Sequence, residues 1–194
     1  ACSTTIVAIQ AAGTITRKKM ISKVSSAAGL RLPRSSRSTL RYSGMIGKTL
    51  RDAPAGTETT SAALLARAGY VRQLGAGIHS YLPLAWRSIT KIEAIIREEM
   101  ERIDCHELSM PVVHPAEIWQ ESKRWYEIGD ELVRFRDRAE RDMVLAMTHE
   151  EIATDIVRRD IRSYRHLPIQ FFQIQSKFRD EPRPRAGLLR GREF

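Results

Sequence analysis

From Leu40 onward, apolar positions recur with helical or strand period between stops of glycine, proline and polar residues. Residues 57–61 offer several N-cap side chains for a helix that runs to about Ala68 and stops at Gly69. Gly75-Ala-Gly77 reads as a turn into a short strand over 78–82, closed by Pro83. The longest helix is predicted over 85–104, where Trp86, Ile89, Ile92, Ile96, Met100 and Ile103 recur at steps of three and four. One face packs, and the opposite face carries Arg87, Glu98, Glu101 and Arg102. Residues 107–113 read as a strand, but Pro111 cannot donate to a ladder, which places that strand at an edge or an interface. Residues 114–119 read as a short helix with Pro115 in its first position. The runs 132–137 and 142–147 predict a hairpin, and Thr148 with Glu151 predicts a capping box opening a helix to about Ser163. A strand over 169–179, a loop over 182–187 and a returning strand over 188–194 close the pattern, which contains no internal repeat. The fold class expected is α+β, an antiparallel sheet flanked by helices.

Charge divides the chain into two parts. The total is +9, yet residues 1–51 hold ten basic residues and no acid, so the other 143 residues carry 22 basic against 23 acidic side chains. The body is nearly neutral, and total charge therefore says little about whether it touches RNA. Residues 1–39, rich in Ser, Thr, Ala, Lys and Arg and without sustained period, read as a basic, disordered leader ahead of a body over 40–194. Its composition is that of an organellar presequence, with a basic arm or an upstream extra stretch as alternatives. The compartment expected is the cytoplasm, or an organelle matrix if the leader is a presequence. With 42% hydrophobic and 28% charged residues, a wholly disordered or fibrous protein is excluded. No stretch approaches the roughly 20 apolar residues of a membrane-spanning helix, so a soluble chain with no membrane partner is expected. Cys2 and Cys105 form neither a zinc ribbon nor a disulfide framework. Five histidines without metal spacing make a zinc site improbable, and no Walker, Rossmann or Gly-x-Ser-x-Gly signature occurs.

Two places hold candidate chemistry. In extended segments side chains alternate, so Arg179 and Glu181 share one face, and Arg190, Arg192 and Phe194 share one face of the returning strand. Guanidinium groups suit phosphate oxygens, a carboxylate accepts amino protons and a phenyl ring stacks on a base, which is the equipment of a nucleotide site. The same residues also make an ordinary solvated face of cross-strand ion pairs, and pattern alone favours that reading. Thr148 and Glu150 pose the same choice. Pattern favours the helix cap, while the alternative is a hydroxyl and a carboxylate presented to a cationic amine. Gly75-Ala-Gly77 is a weak phosphate-loop signal and is better read as a plain turn.

Taken together, these segments resemble the class II aminoacyl-tRNA synthetases, and among them the bacterial-type prolyl-tRNA synthetases. The resemblance covers about residues 40–194. It rests on Lys48-Thr-Leu-Arg-Asp-Ala-Pro54, Ala66-Arg-Ala-Gly69, Gly75-Ala-Gly-Ile-His-Ser-Tyr-Leu-Pro83, Ile96-Arg-Glu-Glu-Met100 and Met110-Pro-Val-Val113. Trp119-Gln-Glu-Ser122, Thr148-His-Glu-Glu151 and Phe178-Arg-Asp-Glu-Pro-Arg-Pro-Arg185 complete it. The resemblance implies a class II catalytic core, incomplete at its C-terminus, whose long helix and Pro111 segment build a homodimer interface. It implies that Arg179, the catalytic residue, grips the α-phosphate of ATP, that Glu181 meets the adenine amino group, that Arg190 contacts phosphate and that Phe194 stacks on adenine. It further implies that Thr148 and Glu150 bind the proline ring nitrogen, and it thereby reverses the preference that pattern alone gave at both places. The implied activity is that of a proline–tRNA ligase using ATP and Mg²⁺, with proline and tRNA(Pro) as partners. Since the third motif, an editing insertion and an anticodon-binding domain are not in the sequence, this chain alone is expected not to complete the reaction. The rival readings are a threonyl-, seryl- or histidyl-specific relative, against which the Thr-His-Glu-Glu loop speaks, and a non-catalytic module that binds RNA or only dimerises.

Overall fold

The structure is a computed structural model that describes the backbone of Thr4–Ile9 and residues 41–194. The elements are β1 (Thr4–Ile9), α1 (Thr60–Arg67), β2 (Val71–Gly75), β3 (Ile78–Tyr81), α2 (Pro83–Glu101), β4 (His106–Glu107) and β5 (Val113–Pro115). They continue with α3 (Ala116–Glu121), α4 (Arg124–Glu127), β6 (Arg134–Arg136), β7 (Asp142–Leu145), α5 (Glu150–Asp160) and β8 (Ile169–Ile174). The expected α+β class holds, but the strands are divided among three small sheets ordered β1-β8-β4, β2-β3 and β5-β7-β6. All their pairings are antiparallel except β4 with β8. Strand β1 lies within the 1–39 stretch expected to be a disordered leader, and it pairs with β8 from Thr4↔Ile174 to Ile9↔Ile169. The rest of that leader lies outside the described residues.

Local chemistry explains most element boundaries. The Thr59 side chain accepts the Ala62 N–H and starts α1, and Gly69, at φ +70°, ends that segment. A Cβ at Gly69 would meet the Gly47 carbonyl at 1.9 Å, so glycine is required for the close approach of the two backbones. Arg72 fastens the same corner, donating to the carbonyls of Ala66, Val71 and Lys48 at 2.7–2.9 Å. Pro83, expected to close a strand, occupies the first turn of α2, where its missing N–H costs nothing. That helix ends three residues earlier than its apolar pattern predicts, before the left-handed Asp104 (φ +61°). Pro115 is the N-cap of α3 rather than its first helical residue.

Strand β8 is the spine of the core. Its successive residues point to opposite faces: Phe172 packs with Met100 and Cys105 on one side, and Phe171 with Met110 and Ala153 on the other. Each buried phenyl ring contributes about 1.5–3 kcal/mol of hydrophobic stabilisation. A third cluster, Trp119, Leu132, Val144 and Met147, ties α3 to β7. Two expectations are corrected here. The stripe on α2 is buried only toward its C-terminal end, at Met100, while Trp86 and Ile92 remain 57% and 54% exposed. The strand expected over 107–113 is split, with β4 ending at Glu107 and β5 starting at Val113. Pro111 stands exposed in the gap, because it has no N–H to carry a ladder across.

Candidate functional site

Thr148 and Glu150 sit where β7 hands over to α5, and their surroundings differ from the capping box that pattern predicts. The N-cap of α5 is His149, with no side-chain cap bond, and Glu150 and Glu151 lie in the first helical turn. Instead of capping, the Thr148 and Glu151 side chains turn to Arg124: its Nη1 lies 3.1 Å from Thr148 Oγ1 and 2.6 Å from Glu151 Oε1. The same nitrogen is 3.7 Å from the Glu150 carboxylate. An ionised side chain is the stronger competitor for a carboxylate, and Arg124 overrides the local cap by reaching across 24 residues of sequence. Burial pushes the Glu150 carboxyl upward, but the Thr148 hydroxyl, its own backbone N–H and the Arg124 charge together bring it below its ordinary value of 4.5. Glu150 is therefore a carboxylate at neutral pH.

Beneath this junction lies a buried polar layer. His114 and His149 are fully buried and meet edge to face, with ring centroids 5.2 Å apart. Trp119 Nε1–H donates to His114 Nδ1 at 3.2 Å, so His114 carries its proton on Nε2 and donates to the Pro111 carbonyl at 2.8 Å. Gln175 pairs with both backbone groups of Met110, and its Nε2 lies 2.6 Å from His149 Nε2. Burial first, then the charges of His114 and Lys177, hold the His149 pKa down at about 4. Its imidazole is neutral and accepts the Gln175 amide proton. Pro111, expected at a dimer interface, thus offers its carbonyl to the layer beneath the Thr148 junction.

The segment from Lys177 to Phe194 forms the second part of the site. It is a hairpin held by isolated bridges, Phe178↔Glu193 and Arg185↔Arg190, rather than by the continuous returning strand that the alternation predicts. Backbone bonds at its base join Lys177 to Phe194 and Arg179 to Arg192. Four of the expected residues come together around a cleft of about 500 Å³, lined by Arg179, Glu181, Arg190 and Phe194 with Glu131, Leu189 and Gly191. The Arg179 guanidinium stands 5.1 Å from the Phe194 ring centroid, and Arg190 Nε donates to Glu181 Oε2 at 2.9 Å. That contact with Arg190 holds the Glu181 carboxyl below its ordinary value. Arg192, expected on the same face as Arg190 and Phe194, instead pairs with Asp180 and does not line the cleft. Arg179 Nε also reaches the Met147 carbonyl at 3.3 Å, which brings the hairpin against the residue preceding Thr148.

The Gly75-Ala-Gly77 turn supports the hairpin from outside. The Gly77 carbonyl accepts the Arg192 N–H at 2.7 Å, and a Cβ there would lie 2.7 Å from Pro184 Cβ. Gly77 is thus needed for close backbone approach as well as for its φ of +72°. Sequence reasoning missed Arg124, Gln175, Glu131 and the His114–His149 pair, all of which reach the site by contacts remote in sequence. The signal closest at hand was the proximity of Arg124 to the quoted Trp119-Gln-Glu-Ser122 run. Among the described residues no cluster of three or more metal-ligating side chains occurs, and no helix is long and apolar enough to cross a membrane.

The chain is similar in sequence and in fold to known proteins. Residues 133–194 match the tRNA synthetase class II core domain (G, H, P, S and T). Over 155 residues, 80% of the chain, the sequence is 57% identical to the proline–tRNA ligase of Salinispora tropica, of which those residues are 26%. It is 56% identical over the same share to the proline–tRNA ligase of Geobacter metallireducens, covering 27% of that protein. The chain therefore spans about a quarter of the length of the curated relatives it matches. In fold it is similar to Giardia lamblia prolyl-tRNA synthetase in complex with prolyl-adenylate, with a TM-score of 0.62, 22% identity, and coverage of 68% of this chain and 28% of that one. It is similar as well to the RNA-binding domain of threonyl-tRNA synthetase from Cryptosporidium parvum, with a TM-score of 0.58, 24% identity, and coverage of 63% and 30%.

Proposed function

Because this chain is a class II tRNA synthetase sequence related to the proline–tRNA ligases, we propose that it contributes the ATP and amino-acid sites of an enzyme that joins proline to tRNA(Pro). The observation that carries the reading is the assembly of Arg179, Glu181, Arg190 and Phe194 around one cleft, against the backbone of the Thr148 junction. In the first step an oxygen of the proline carboxylate attacks the α-phosphorus of ATP. The bond to the bridging oxygen breaks, pyrophosphate leaves and prolyl-adenylate remains. In the second step a terminal ribose hydroxyl of the tRNA takes the prolyl group and AMP leaves. Arg179 bears on the α-phosphate, where negative charge gathers in the transition state, and Arg190 on the phosphate chain; Glu181 accepts the adenine amino proton while Phe194 stacks on the ring. No general base is required, since positioning and charge stabilisation supply the catalysis.

Thr148 and Glu150 hold the ring nitrogen of proline. Mg²⁺ bound together with ATP would neutralise phosphate charge. With Glu181 engaged by Arg190, Glu131 is the other carboxylate lining the cleft, and one or two carboxylates plus substrate phosphates suffice for this ion. The exposed Trp86, Ile92 and Ile95 of α2 fit burial in a homodimer. The reading is tested by amino-acid-dependent ATP–pyrophosphate exchange over a panel of amino acids, using the longest product of the gene that carries this chain. Exchange with proline alone is expected. Exchange with threonine, serine or histidine in place of proline, or with no amino acid, would overturn it.

A further inference from the structure

Arg124 opens α4 immediately after Lys123, whose left-handed backbone (φ +67°) breaks the chain between α3 and α4 and turns it toward α5. Its guanidinium lies 5.0 Å from the Trp119 ring centroid and is anchored by the buried Glu151 carboxylate, which also accepts from Ser122 Oγ at 3.3 Å. Trp119 is fully buried, and Glu151 is 7% exposed. From this mount a single nitrogen reaches the Thr148 hydroxyl at 3.1 Å and the Glu150 carboxylate at 3.7 Å.

A guanidinium only donates, so the Thr148 oxygen in this contact must accept. The Thr148 proton is then free to go to Glu150, the hydrogen bond that helps keep that carboxylate charged. One lone pair of the Thr148 oxygen remains. The junction thus presents two acceptors, a hydroxyl oxygen and a carboxylate oxygen. A protonated secondary amine has two N–H donors, and this pair matches it.

We propose that Arg124 is a positioning residue of the amino-acid site, which fixes the polarity of the Thr148 hydroxyl and the placement of Glu150 so that together they accept the two N–H groups of a secondary ammonium. The inference rests on the reading of Thr148 and Glu150 as the amino-acid-binding pair. Arginine suits the role because its guanidinium lies over Trp119 while one of its nitrogens serves Glu151 and Thr148 at once; lysine offers a mobile point charge in its place.

The test uses the longest gene product and pyrophosphate exchange, with KM for proline and for ATP measured separately and Tm recorded for each variant. For Arg124→Ala the expected result is a rise of about tenfold or more in KM for proline, the loss of one well-placed hydrogen-bonding arrangement, with KM for ATP within about twofold of wild type. Arg124→Lys is expected to recover part of that loss. An unchanged KM for proline in Arg124→Ala, alongside a raised one in Thr148→Val, would overturn the positioning role and leave the amino-acid site standing. A parallel rise in both KM values with a fall in Tm, matched by Glu151→Gln, would overturn it in favour of a purely structural mount. If Thr148→Val and Glu150→Gln themselves leave KM for proline unchanged, the assignment of the site fails, and the role of Arg124 falls with it.

Discussion

Around Thr148 and Glu150 the polar side chains are committed to partners beneath them, whereas the hairpin from Lys177 to Phe194 is tied by backbone bonds at its base and by side-chain pairs at its rim. Under the first region lie His114, His149 and Gln175, bonded to the backbone of Met110 and Pro111 and to Trp119. Over the second, the pairs Arg190–Glu181 and Arg192–Asp180 are partly exposed to solvent. A buried polar layer bonded to the backbone holds a loop in place, since each displaced group would lose a partner it cannot replace with water; within it His149 Nδ1 is buried without a partner. The hairpin carries isolated bridges in place of a continuous ladder, and backbone bonds to Ala146, Glu131 and Gly77 fasten it to its neighbours. The contrast suits the proposed roles: a small substrate recognised at two atoms needs fixed acceptors, and a larger nucleotide is met by several side chains lining one cleft.

The largest expected effect falls on the hairpin side and on activity alone. Arg179→Ala should lower the rate of proline-dependent exchange by about 10²–10³-fold or more, as removal of a group aimed at developing charge does elsewhere. Arg179 is half-buried, with a single side-chain bond to the Met147 carbonyl, so the far-ultraviolet spectrum and Tm should stay near wild type. Exchange that survives the substitution would remove the α-phosphate role from Arg179.

The complementary prediction concerns stability on the fixed side. His149→Leu deletes a fully buried ring nitrogen and leaves the Gln175 amide without one of its acceptors, at an expected cost of about 1–3 kcal/mol measured by denaturant unfolding. The same ring makes stability pH-dependent. Its folded pKa of about 4 lies below the ordinary 6.5, so the unfolded chain binds the proton more readily than the folded one. Stability on this account is fully present above 6.5, is lost as pH falls from there, and levels off near 4. The pKa of His114 is lowered as well, chiefly by burial, and contributes with the same sign. His149→Gln should flatten the slope of stability against pH in that window, and an unchanged slope would show that His149 is not the group that titrates.

The parts of this architecture that were legible in the sequence are those decided locally. Helix α1, with Thr59 before it and Gly69 behind, the hairpin of β6 and β7, and the long α2 follow from residues within a few positions of each other. The meeting of Arg179, Glu181, Arg190 and Phe194 was legible in part, since alternation across one hairpin groups them, though it groups Arg192 with them as well. Failures occur where a distant partner outbids a local one. Arg124 takes Thr148 and Glu151 out of the capping box, and Asp180 draws Arg192 off the face it shares with Arg190 by alternation. The exposed half of the α2 stripe departs for a different reason: periodicity says that a face is apolar and leaves open what covers it.

The smallest expected effect separates the two regions most finely. Arg190 Nε bonds Glu181 Oε2 at 2.9 Å in the lining of the cleft, with the Arg190 side chain 48% exposed and that of Glu181 12%. A pair with one half-exposed partner contributes little to folding. Arg190→Ala should therefore leave Tm unchanged within error, in contrast to His149→Leu. Its chemical consequence is still measurable: the Arg190 contact is the first cause of the lowered Glu181 pKa, so its removal should let that carboxyl titrate nearer 4.5, visible by carbon NMR of labelled glutamate side chains. A carboxylate freed from Arg190 has its oxygens open to an adenine amino group, while the phosphate chain has lost a cation. If both proposed roles hold, KM for ATP rises by a few fold, and Glu181→Gln, which keeps an acceptor but gives up the charge, raises it less. A fall in Tm for Arg190→Ala as large as that for His149→Leu would mean that the hairpin is as firmly built as the junction, and the comparison between them would lose its ground.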